Sequence, residues 1–484
     1  MTSPPTSPAA GVAPAHSRSE QQRVVVGTTI GTAIEWYDYF LYAQVAGIVF
    51  NTIMFSDEMD SGVRTLISFL TVGISFLFRP LGAFLAGHFS DRFGRRVVLM
   101  VTLIAMGCAT ALIGLLPTYA HIGIWAPILL MALRIIQGVS AGGEWGSAVL
   151  LAVEHAPRDK RGLFGAGPQI GVPVGLLMAS GVLAIMDVIA PGEAFMEWGW
   201  RIPFLLSVLL VIVGIFIRHG VEESPVYAEM TERPDIHKAA NPIGALFGKF
   251  WLVLLLASLV LAGNGAVGYM TTGGFIQSYA LRPEGLAMER GPVLMAVTLS
   301  GFTWMLTTLF AGWVSDKIGR RTTSIVGFII QGLGVIALFP LVETGSIGKL
   351  TFGLLFLTVG LGLTYGQISS KFAELYPAAI RGSGTSITYA IASILGGAFA
   401  PMIATALVNR TGGTGAVTAY LMVMTLLGLV CALLLRDRTR IPLSSDFEDI
   451  QATSHFFWQP DWHPAAQRRE QQVARRQAGA MQSK

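Results

Sequence analysis

The chain has 484 residues, of which 52% are hydrophobic and only 13% are charged, with a formal net charge of +4. Soluble globular proteins carry about 25% charged residues. The small charged fraction and the mean hydropathy of +0.60 exclude a soluble globular protein, a disordered chain and a disulfide-rich scaffold. The composition predicts an all-α protein that crosses a membrane many times.

The order of apolar and polar segments predicts five regions. Residues 1–22 are rich in Pro, Ser, Thr and Ala and have no apolar signal-peptide core, so they are expected to form a disordered tail. Twelve apolar stretches follow, each a candidate membrane-spanning helix: 24–55, 63–87, 97–116, 125–153, 161–187, 203–217, 250–281, 292–315, 322–343, 350–373, 383–409 and 414–435. They predict a six-helix bundle, a linker, a second six-helix bundle and a polar tail: 23–217, 218–249, 250–436 and 437–484.

The distribution of positive charge predicts the orientation. With both termini placed in the cytoplasm, the cytoplasmic loops and tails collect 25 of the 33 Lys and Arg residues. Six fall on the outer side, and two, Arg79 and Arg134, lie within predicted helices away from the helix ends. Because Lys and Arg favour cytoplasmic loops, both termini are expected inside the cell and the protein in the cytoplasmic membrane.

The chain also contains an internal repeat. Residues 87–96 (GHFSDRFGRR) recur as 312–321 (GWVSDKIGRR), and residues 154–162 (EHAPRDKRG) recur in part as 374–382 (ELYPAAIRG). The two offsets, 225 and 220 residues, nearly agree. We interpret the chain as one six-helix unit used twice in the same orientation, an architecture found among secondary transporters.

These motifs resemble those of a known family. The loop motif GxxSDxxGRR and the sequence RIIQG at 134–138 resemble signatures of the major facilitator superfamily. Further segments are similar to the metabolite:H⁺ symporters, which carry organic acids, proline, betaine or shikimate: EWYD at 35–38, FLFRPLG at 76–82, GGEWG at 142–146, WRIP at 200–203 and EESP at 222–225. The resemblance runs from about residue 23 to about residue 436. It implies two six-helix bundles around a central cavity lined by helices 1, 4, 7 and 10.

Charged residues within the apolar stretches indicate where a site lies: Glu35, Asp38, Arg79, Arg134 and Glu144. Each costs roughly 2.5–3.5 kcal/mol at the centre of a spanning helix, so we expect them to face the interior and to pair. Helical periodicity places Glu35 and Asp38 on one stripe of helix 1, and Arg134 and Glu144 on one stripe of helix 4. The resemblance implies that these stripes face each other, and we predict an ion pair between Arg134 and Asp38 or Glu35.

The coupling proton is predicted to bind to a carboxylate. All eight histidines lie in the tails or near loops, so the deep candidates are Glu35, Asp38 and Glu144, with Arg134 as their charge partner. Two carboxylates on one helix face repel each other when both are ionised, so one of them is poised to hold a proton. A structural ion pair that locks helix 1 to helix 4 is the alternative.

Polar side chains on several helices are candidates for binding a polar solute: Tyr42, Arg79, Arg134, Gln137, Asn264, Tyr269 and Gln367. An arginine offers a forked cation to a substrate carboxylate. Tyr, Asn and Gln at mid-membrane suit hydrogen bonds to a solute, and hydrogen bonds between helices are the alternative. Arg79 lies near the inner half of helix 2, where gating and packing roles also stay open.

The repeated loops are expected to latch the cytoplasmic side. The resemblance assigns this role to residues of the first repeat: Asp91, Arg92, Gly94, Arg95, Asp316, Gly319 and Arg320. The second repeat adds two acids and two bases: Glu154, Arg161, Glu374 and Arg381. Glycine permits a tight turn, while the acids and bases tie helix ends together. A solvated basic loop explains the arginines but not the matching aspartates.

Other functional classes lack a sequence signal. The chain contains no HExxH or Walker A motif, and its GxSxG match at residues 138–142 lies within a predicted membrane helix and not on a strand-to-helix turn, so neither an enzyme nor an ATP-driven pump is indicated. No cofactor or metal site is expected, because Cys108 and Cys431 are far apart and have no neighbouring histidine. We predict a proton-coupled importer that works by alternating access, as a monomer in the lipid bilayer. Its partners are protons and a small molecule, not nucleic acid.

The substrate is the least determined prediction. Residues 76–144 most resemble shikimate-type members of the family, so a small hydroxylated or cyclic carboxylate is the first choice. Dicarboxylates such as 2-oxoglutarate and zwitterions such as proline or betaine stay open. A proton-coupled exporter also stays open, because residues 165–175 are loosely similar to the Gly/Pro signature of such exporters. A transporter-derived sensor is a further alternative.

Overall fold

The computed structural model consists almost entirely of α-helices. It describes residues 18–93, 95–142, 144–219, 242–272, 274–282, 285–444 and 447–482. Within these ranges the β-structure consists of one isolated antiparallel bridge, between Leu435 and Phe456. Most of the predicted N-terminal tail, most of the predicted linker and Gly94 lie outside the described residues.

The long helices follow the order of the apolar stretches, and segments that continue one another are counted together. They are α1 Arg18–Val45, α2 Ser61–Phe93, α3 Arg95–Leu115, α4 Trp125–Ala141 with Glu144–Glu154, α5 Arg161–Ile189, α6 Arg201–His219, α7 Trp251–Thr272 with Phe275–Ala280, α8 Arg290–Ile318, α9 Arg320–Val342, α10 Ile347–Tyr365 with Ile368–Leu375, α11 Arg381–Ala392 with Ala400–Thr411, α12 Gly415–Leu434 and α13 His463–Gln482. Short π-helical turns extend α1 at Ala46–Phe50, precede α6 at Phe195–Gly199 and join the parts of α11 at Ser393–Ala398. α1 begins earlier than the predicted start at residue 23.

Nine helical segments of the described chain are long and apolar enough to cross a membrane, and Met100–Leu115 and Trp125–Ala141 are shorter apolar helices. The predicted all-α membrane fold is therefore confirmed, whereas the count of twelve spans and the orientation stay predictions. The apolar window of Trp251–Ala280 is 78% buried and that of Gly415–Leu434 only 33%. α7 is therefore a central helix and α12 a peripheral one.

Glycines bring α2 and α4 to backbone contact. A Cβ on Gly138 would lie 2.1 Å from the carbonyl oxygen of Ser75, and a Cβ on Gly142 would lie 2.0 Å from that of Arg79. In a membrane the hydrophobic effect does not drive helices together, so their association depends on close packing. Small residues at the interface let the two helix backbones approach each other closely. This contact fixes the position of Arg79 on α2 relative to Arg134 on α4.

Gly138→Ala is expected to destabilise the protein. The added methyl group must displace the backbone of α2, so we expect a loss of about 1–3 kcal/mol and a lower unfolding temperature in detergent. Gly332→Ala on α9 is the control, because a Cβ there would lie 3.7 Å from its nearest neighbour. Unfolding midpoints that are equal for the two variants would contradict the close α2–α4 contact.

Candidate functional site

An ion pair between α1 and α2 lies buried near the centre of the molecule. Arg79 Nη2 is 3.0 Å from Glu35 Oε1, and the two side chains are only 6% and 2% exposed. The guanidinium of Arg79 also lies over the rings of Phe76, at 4.5 Å, and Trp36, at 5.6 Å. Because a buried charge without a partner costs about 3–5 kcal/mol, Arg79 requires a carboxylate beside it when the site is closed.

Arg134 does not form the predicted direct ion pair with Asp38 or Glu35 among the described residues. Its guanidinium donates hydrogen bonds to Gln137 Oε1 at 2.9 Å and to the carbonyl oxygen of Val72 at 3.2 Å. It also lies 3.9 Å from the centre of the Tyr42 ring. These contacts hold Arg134 against α2, while Arg79 occupies the place beside Glu35.

Asp38 is linked to Arg134 through two neutral side chains. Thr110 on α3 donates its hydroxyl to Asp38 Oδ2 at 2.8 Å. Gln137 Nε2 donates to the same hydroxyl oxygen at 2.7 Å, and its Oε1 accepts from Arg134. All four side chains are buried. The second acid–base pair of the site is therefore indirect, running from carboxylate through hydroxyl and amide to guanidinium.

A small polar cavity joins the two pairs. Its volume is about 10 Å³, and its walls include both carboxylates, both arginines and three further polar side chains: Glu35, Asp38, Arg79, Arg134, Tyr39, Ser75 and Gln137. Such a volume holds about one water molecule. Glu35 and Asp38 therefore face one shared space, in which a single water would connect them.

Aromatic rings fill the space between the two bundles beside this site. Tyr269 on α7 stacks on Trp36 of α1 with ring centres 5.4 Å apart, and it contacts Tyr39 at 5.4 Å and Phe76 at 5.7 Å. We call these four residues the central aromatic cluster. Arg79 borders it through its contacts with Trp36 and Phe76. The Glu35–Arg79 pair thus lies at the boundary between the bundles.

The cluster contains polar atoms that form no hydrogen bond with the described residues. Trp36 Nε1 and Tyr39 Oη are buried and have no hydrogen-bond partner among the described residues, and the same holds for Trp304 Nε1 on α8. A buried donor without a partner is costly. These atoms mark the centre as a place where a polar molecule would add hydrogen bonds.

The remaining predicted binding residues contact neighbouring helices. Asn264 donates to Thr364 Oγ1 at 2.5 Å, and Gln367 donates to Ser324 Oγ at 2.7 Å. Tyr42 shares a hydrogen bond of 2.6 Å with Thr71. Of the predicted set, the structure brings Arg79 and Tyr269 to the boundary between the bundles and places Arg134 and Gln137 behind them.

Some predicted residues have side chains outside the described part of the structure. These are one proton-site candidate and three gate candidates: Glu144, Asp91, Arg92 and Arg95. Conversely, Thr110 was not among the predicted site residues, because a threonine in the apolar helix α3, which also contains Thr102, gives no signal of its own.

Repeated acids and bases close one end of the two bundles. We call it the tail end, because the C-terminal segment, residues 437–444 and 447–482, packs there. Asp316 on α8 accepts hydrogen bonds from the backbone N–H groups of Gly162 and Leu163, at 2.8 and 3.0 Å. These amides begin α5, so the carboxylate caps a helix of the other bundle. Asp316 also pairs with Arg320 at 2.8 Å. Gly319 between them has φ +92°, which L-residues with a side chain rarely adopt.

The second repeated motif pairs across the bundles as well. Arg381 on α11 lies 3.4 Å from Glu154 at the end of α4. Glu374 pairs within its own bundle, 3.3 Å from Arg320. Arg161 donates instead to the carbonyl oxygen of Ile441 in the C-terminal segment, at 2.6 Å. The predicted gate residues whose side chains are described therefore gather at one end.

The C-terminal segment is packed across this end. Arg158 of the first bundle lies 2.7 Å from Glu470 on α13, and Arg381 of the second donates to the carbonyl oxygen of Leu443 at 3.0 Å. His455 is buried beside Leu375, and burial lowers the pKa of its ring to about 3, so the ring is neutral at physiological pH. The segment contacts both bundles and holds them together.

The opposite end is closed by different contacts. Arg290 on α8 lies 2.5 Å from Asp187 on α5. α1 and α7 touch at Gly274, where φ is +100° and a Cβ would lie 2.1 Å from the carbonyl oxygen of Ala43. Because both ends are closed around the central aromatic cluster, the described structure is an occluded one.

Comparison with known proteins agrees with this architecture. A sequence model of the Major Facilitator Superfamily matches residues 29–400. The chain is 40% identical over 425 residues to the inner membrane metabolite transport protein YhjE of Escherichia coli, covering 87% of this chain and 95% of the relative. It is 37% identical over 430 residues to the Escherichia coli shikimate transporter, covering 88% and 96%.

A solved structure shares the fold. The proton:xylose symporter XylE superposes with a TM-score of 0.70 at 17% identity, covering 88% of this chain and 98% of XylE. The matched relatives are transporters and not enzymes, and YhjE is an inner membrane protein. The chain therefore belongs to the major facilitator superfamily and is a multi-pass cell-membrane transporter of small metabolites.

Proposed function

We propose that the protein imports a small carboxylate together with a proton by alternating access, with the tail end facing the cytoplasm. The observation that carries this proposal is the buried Glu35–Arg79 ion pair beside the central aromatic cluster. The excess of Lys and Arg in the predicted cytoplasmic loops supports the orientation.

The coupling follows from the requirement that Arg79 has one carboxylate partner whenever the site is closed. In the empty transporter Glu35 is that partner. When Glu35 takes up a proton, the substrate carboxylate replaces it on Arg79, and the net charge of the site stays the same. Either of these states occludes at low cost, whereas proton without substrate leaves Arg79 unpaired and substrate without proton adds an unpaired anion. Only the empty and the doubly loaded transporter then change sides.

Asp38 supplies the proton in this proposal. It shares the water-sized cavity with Glu35, so a proton on Asp38 reaches Glu35 through one bridging water. Its link to Arg134 through Thr110 and Gln137 holds the carboxylate in place.

The central aromatic cluster favours a cyclic, hydroxylated carboxylate. Its ring faces cover apolar carbon, and Trp36 Nε1 and Tyr39 Oη, without partners among the described residues, offer hydrogen bonds to hydroxyl groups. The relationship to a shikimate transporter supports the same substrate class. For a monoanion carried with one proton no net charge moves, so a gradient of one pH unit supplies about 1.4 kcal/mol, or about tenfold accumulation.

Asp316→Asn is expected to open the tail end. The variant weakens charge-assisted hydrogen bonds to the first turn of α5, which we expect to contribute about 1–2 kcal/mol, so the tail-end-open population rises about five- to thirtyfold. Spin labels on the two bundles at this end would report the change as longer distances. Asp187→Asn is the matched variant at the opposite end, where it loosens the pair with Arg290. The same direction of shift in both variants would contradict the gate assignment.

Proton movement driven by substrate tests the proposed function. Purified protein in liposomes that enclose a pH dye would be given shikimate, 2-oxoglutarate or glycine betaine from outside. We expect internal acidification with shikimate. Acidification with glycine betaine alone would assign the site to a zwitterion. Internal alkalinisation would indicate an exporter. If the protein is shown to be folded and inserted, the absence of a pH change with all three compounds would contradict the proposal.

A further inference from the structure

The hydroxyl group of Thr110 lies between two possible acceptors. Its oxygen is 2.8 Å from Asp38 Oδ2 and 2.9 Å from the carbonyl oxygen of Met106, one turn earlier on α3. A hydroxyl has one proton to donate and two lone pairs that accept. Thr110 therefore donates to one of these oxygens at a time.

The direction of the neighbouring hydrogen bond is fixed. Arg134 has only donors, so the atom of Gln137 that faces it at 2.9 Å must be the amide oxygen. The amide nitrogen of Gln137 then points at Thr110, at 2.7 Å, and can only donate. One lone pair of the Thr110 oxygen therefore always accepts from Gln137. The hydroxyl proton of Thr110 is available for Asp38 or for the carbonyl oxygen of Met106.

This arrangement satisfies both protonation states of Asp38. When Asp38 is ionised, Thr110 donates to it, because a charged acceptor outcompetes a neutral carbonyl. When Asp38 carries a proton on Oδ2, the acid donates to the second lone pair of Thr110, whose own proton turns to Met106. No heavy atom has to move, and no donor in this row of hydrogen bonds loses its acceptor.

We propose that Thr110 is a positioning residue that lets Asp38 gain and lose the coupling proton inside the closed site. This inference rests on the proposed proton coupling. Charged and ionisable groups around Asp38 are Glu35, Tyr37 and Tyr39 on its own helix, Arg79 on α2 and Arg134 on α4. The side chains that α3 places beside it, Thr110 and Met106, do not ionise.

Thr110→Val tests the inference, because valine keeps the shape of threonine and removes the hydroxyl. The ionised acid loses a charge-assisted hydrogen bond and the protonated acid loses a weaker neutral one. We therefore expect the protonation midpoint of Asp38 to move up by about one pH unit. Infrared spectra of the purified full-length protein in lipid nanodiscs, recorded across pH, follow the carboxyl C=O band. This readout needs no substrate, and Asp38→Asn assigns the band.

Three further variants separate this role from a packing role. Thr110→Ser is expected to restore the wild-type midpoint, and Thr110→Ala to reproduce the shift if the valine variant does not fold. Thr425→Val is the matched control, since Thr425 is buried and accepts from Gln331 Nε2 at 2.9 Å. It is expected to leave the Asp38 band unchanged.

The outcomes distinguish the inference from the function on which it rests. Thr110→Val with the wild-type midpoint, while Asp38→Asn removes the titrating band, would overturn the role of Thr110 and leave proton coupling intact. A titrating band that survives in Asp38→Asn would overturn the inference and also remove Asp38 from the proposed proton site.

Discussion

Glu35→Gln is expected to abolish uphill uptake and to leave substrate exchange intact. Glutamine takes up no proton and leaves Arg79 without its carboxylate, so the empty site no longer closes at low cost, while the substrate-loaded site does. The variant therefore exchanges substrate but does not return empty. With an inward gradient of one pH unit and no membrane potential, the wild type is expected to accumulate substrate about tenfold. The variant is expected to take up almost none into empty liposomes and to exchange labelled for unlabelled substrate in preloaded ones.

Two further variants test whether this loss of accumulation is specific to the proposed proton site. Asp38→Asn is expected to lose accumulation as well, because the proton no longer reaches Glu35. Glu343→Gln, at the end of α9 beside Thr414, is the control and is expected to accumulate substrate like the wild type. Accumulation would be measured with labelled substrate in liposomes, after size-exclusion chromatography shows folded protein. Normal accumulation by both Glu35→Gln and Asp38→Asn would show that the proton site lies elsewhere.

Arg79→Gln is expected to weaken substrate binding by about a hundredfold. The variant removes the cation that receives the substrate carboxylate in a buried site, a loss of about 3 kcal/mol. Arg79→Lys is expected to recover part of the affinity, because an ammonium group binds a carboxylate without the fork of two parallel hydrogen bonds. Calorimetric titration with shikimate measures the dissociation constants, and Arg64→Gln, whose exposed partner is Asp57, is the control.

A double variant separates binding from stability. Arg79→Gln leaves Glu35 buried without its cation, so the unfolding temperature is expected to drop. Adding Glu35→Gln removes that charge and is expected to restore stability without restoring binding. A folded Arg79→Gln variant with wild-type affinity would contradict the assignment of Arg79 to the substrate carboxylate.

Much of the fold was predictable because lipid imposes simple rules. Long apolar stretches become helices, since the backbone must satisfy its own hydrogen bonds in the membrane. The repeat predicted two similar bundles, and its acids and bases do meet at one end, as between Glu154 and Arg381. The packed C-terminal segment was not predicted. Its contacts come from isolated residues such as Arg158 and His455, which form no periodic pattern.

The site was predictable as a set of residues and not as a set of pairs. Charges in apolar helices must be buried and compensated, which identified Glu35, Asp38, Arg79 and Arg134. Which arginine meets Glu35 depends on how α2 and α4 are rotated against each other, and the close contact at Gly138 sets that rotation. Helical periodicity gives the stripe of one helix and carries no information on its partner.

Proton uptake on substrate binding tests the central claim most directly. Purified protein in a weakly buffered solution with a pH dye would be titrated with the carboxylate that acidifies the liposomes, near neutral pH. The exchange of partners on Arg79 predicts about one proton taken up for each substrate bound, and none in Glu35→Gln. Wild-type protein that binds the carboxylate without taking up a proton would contradict the account.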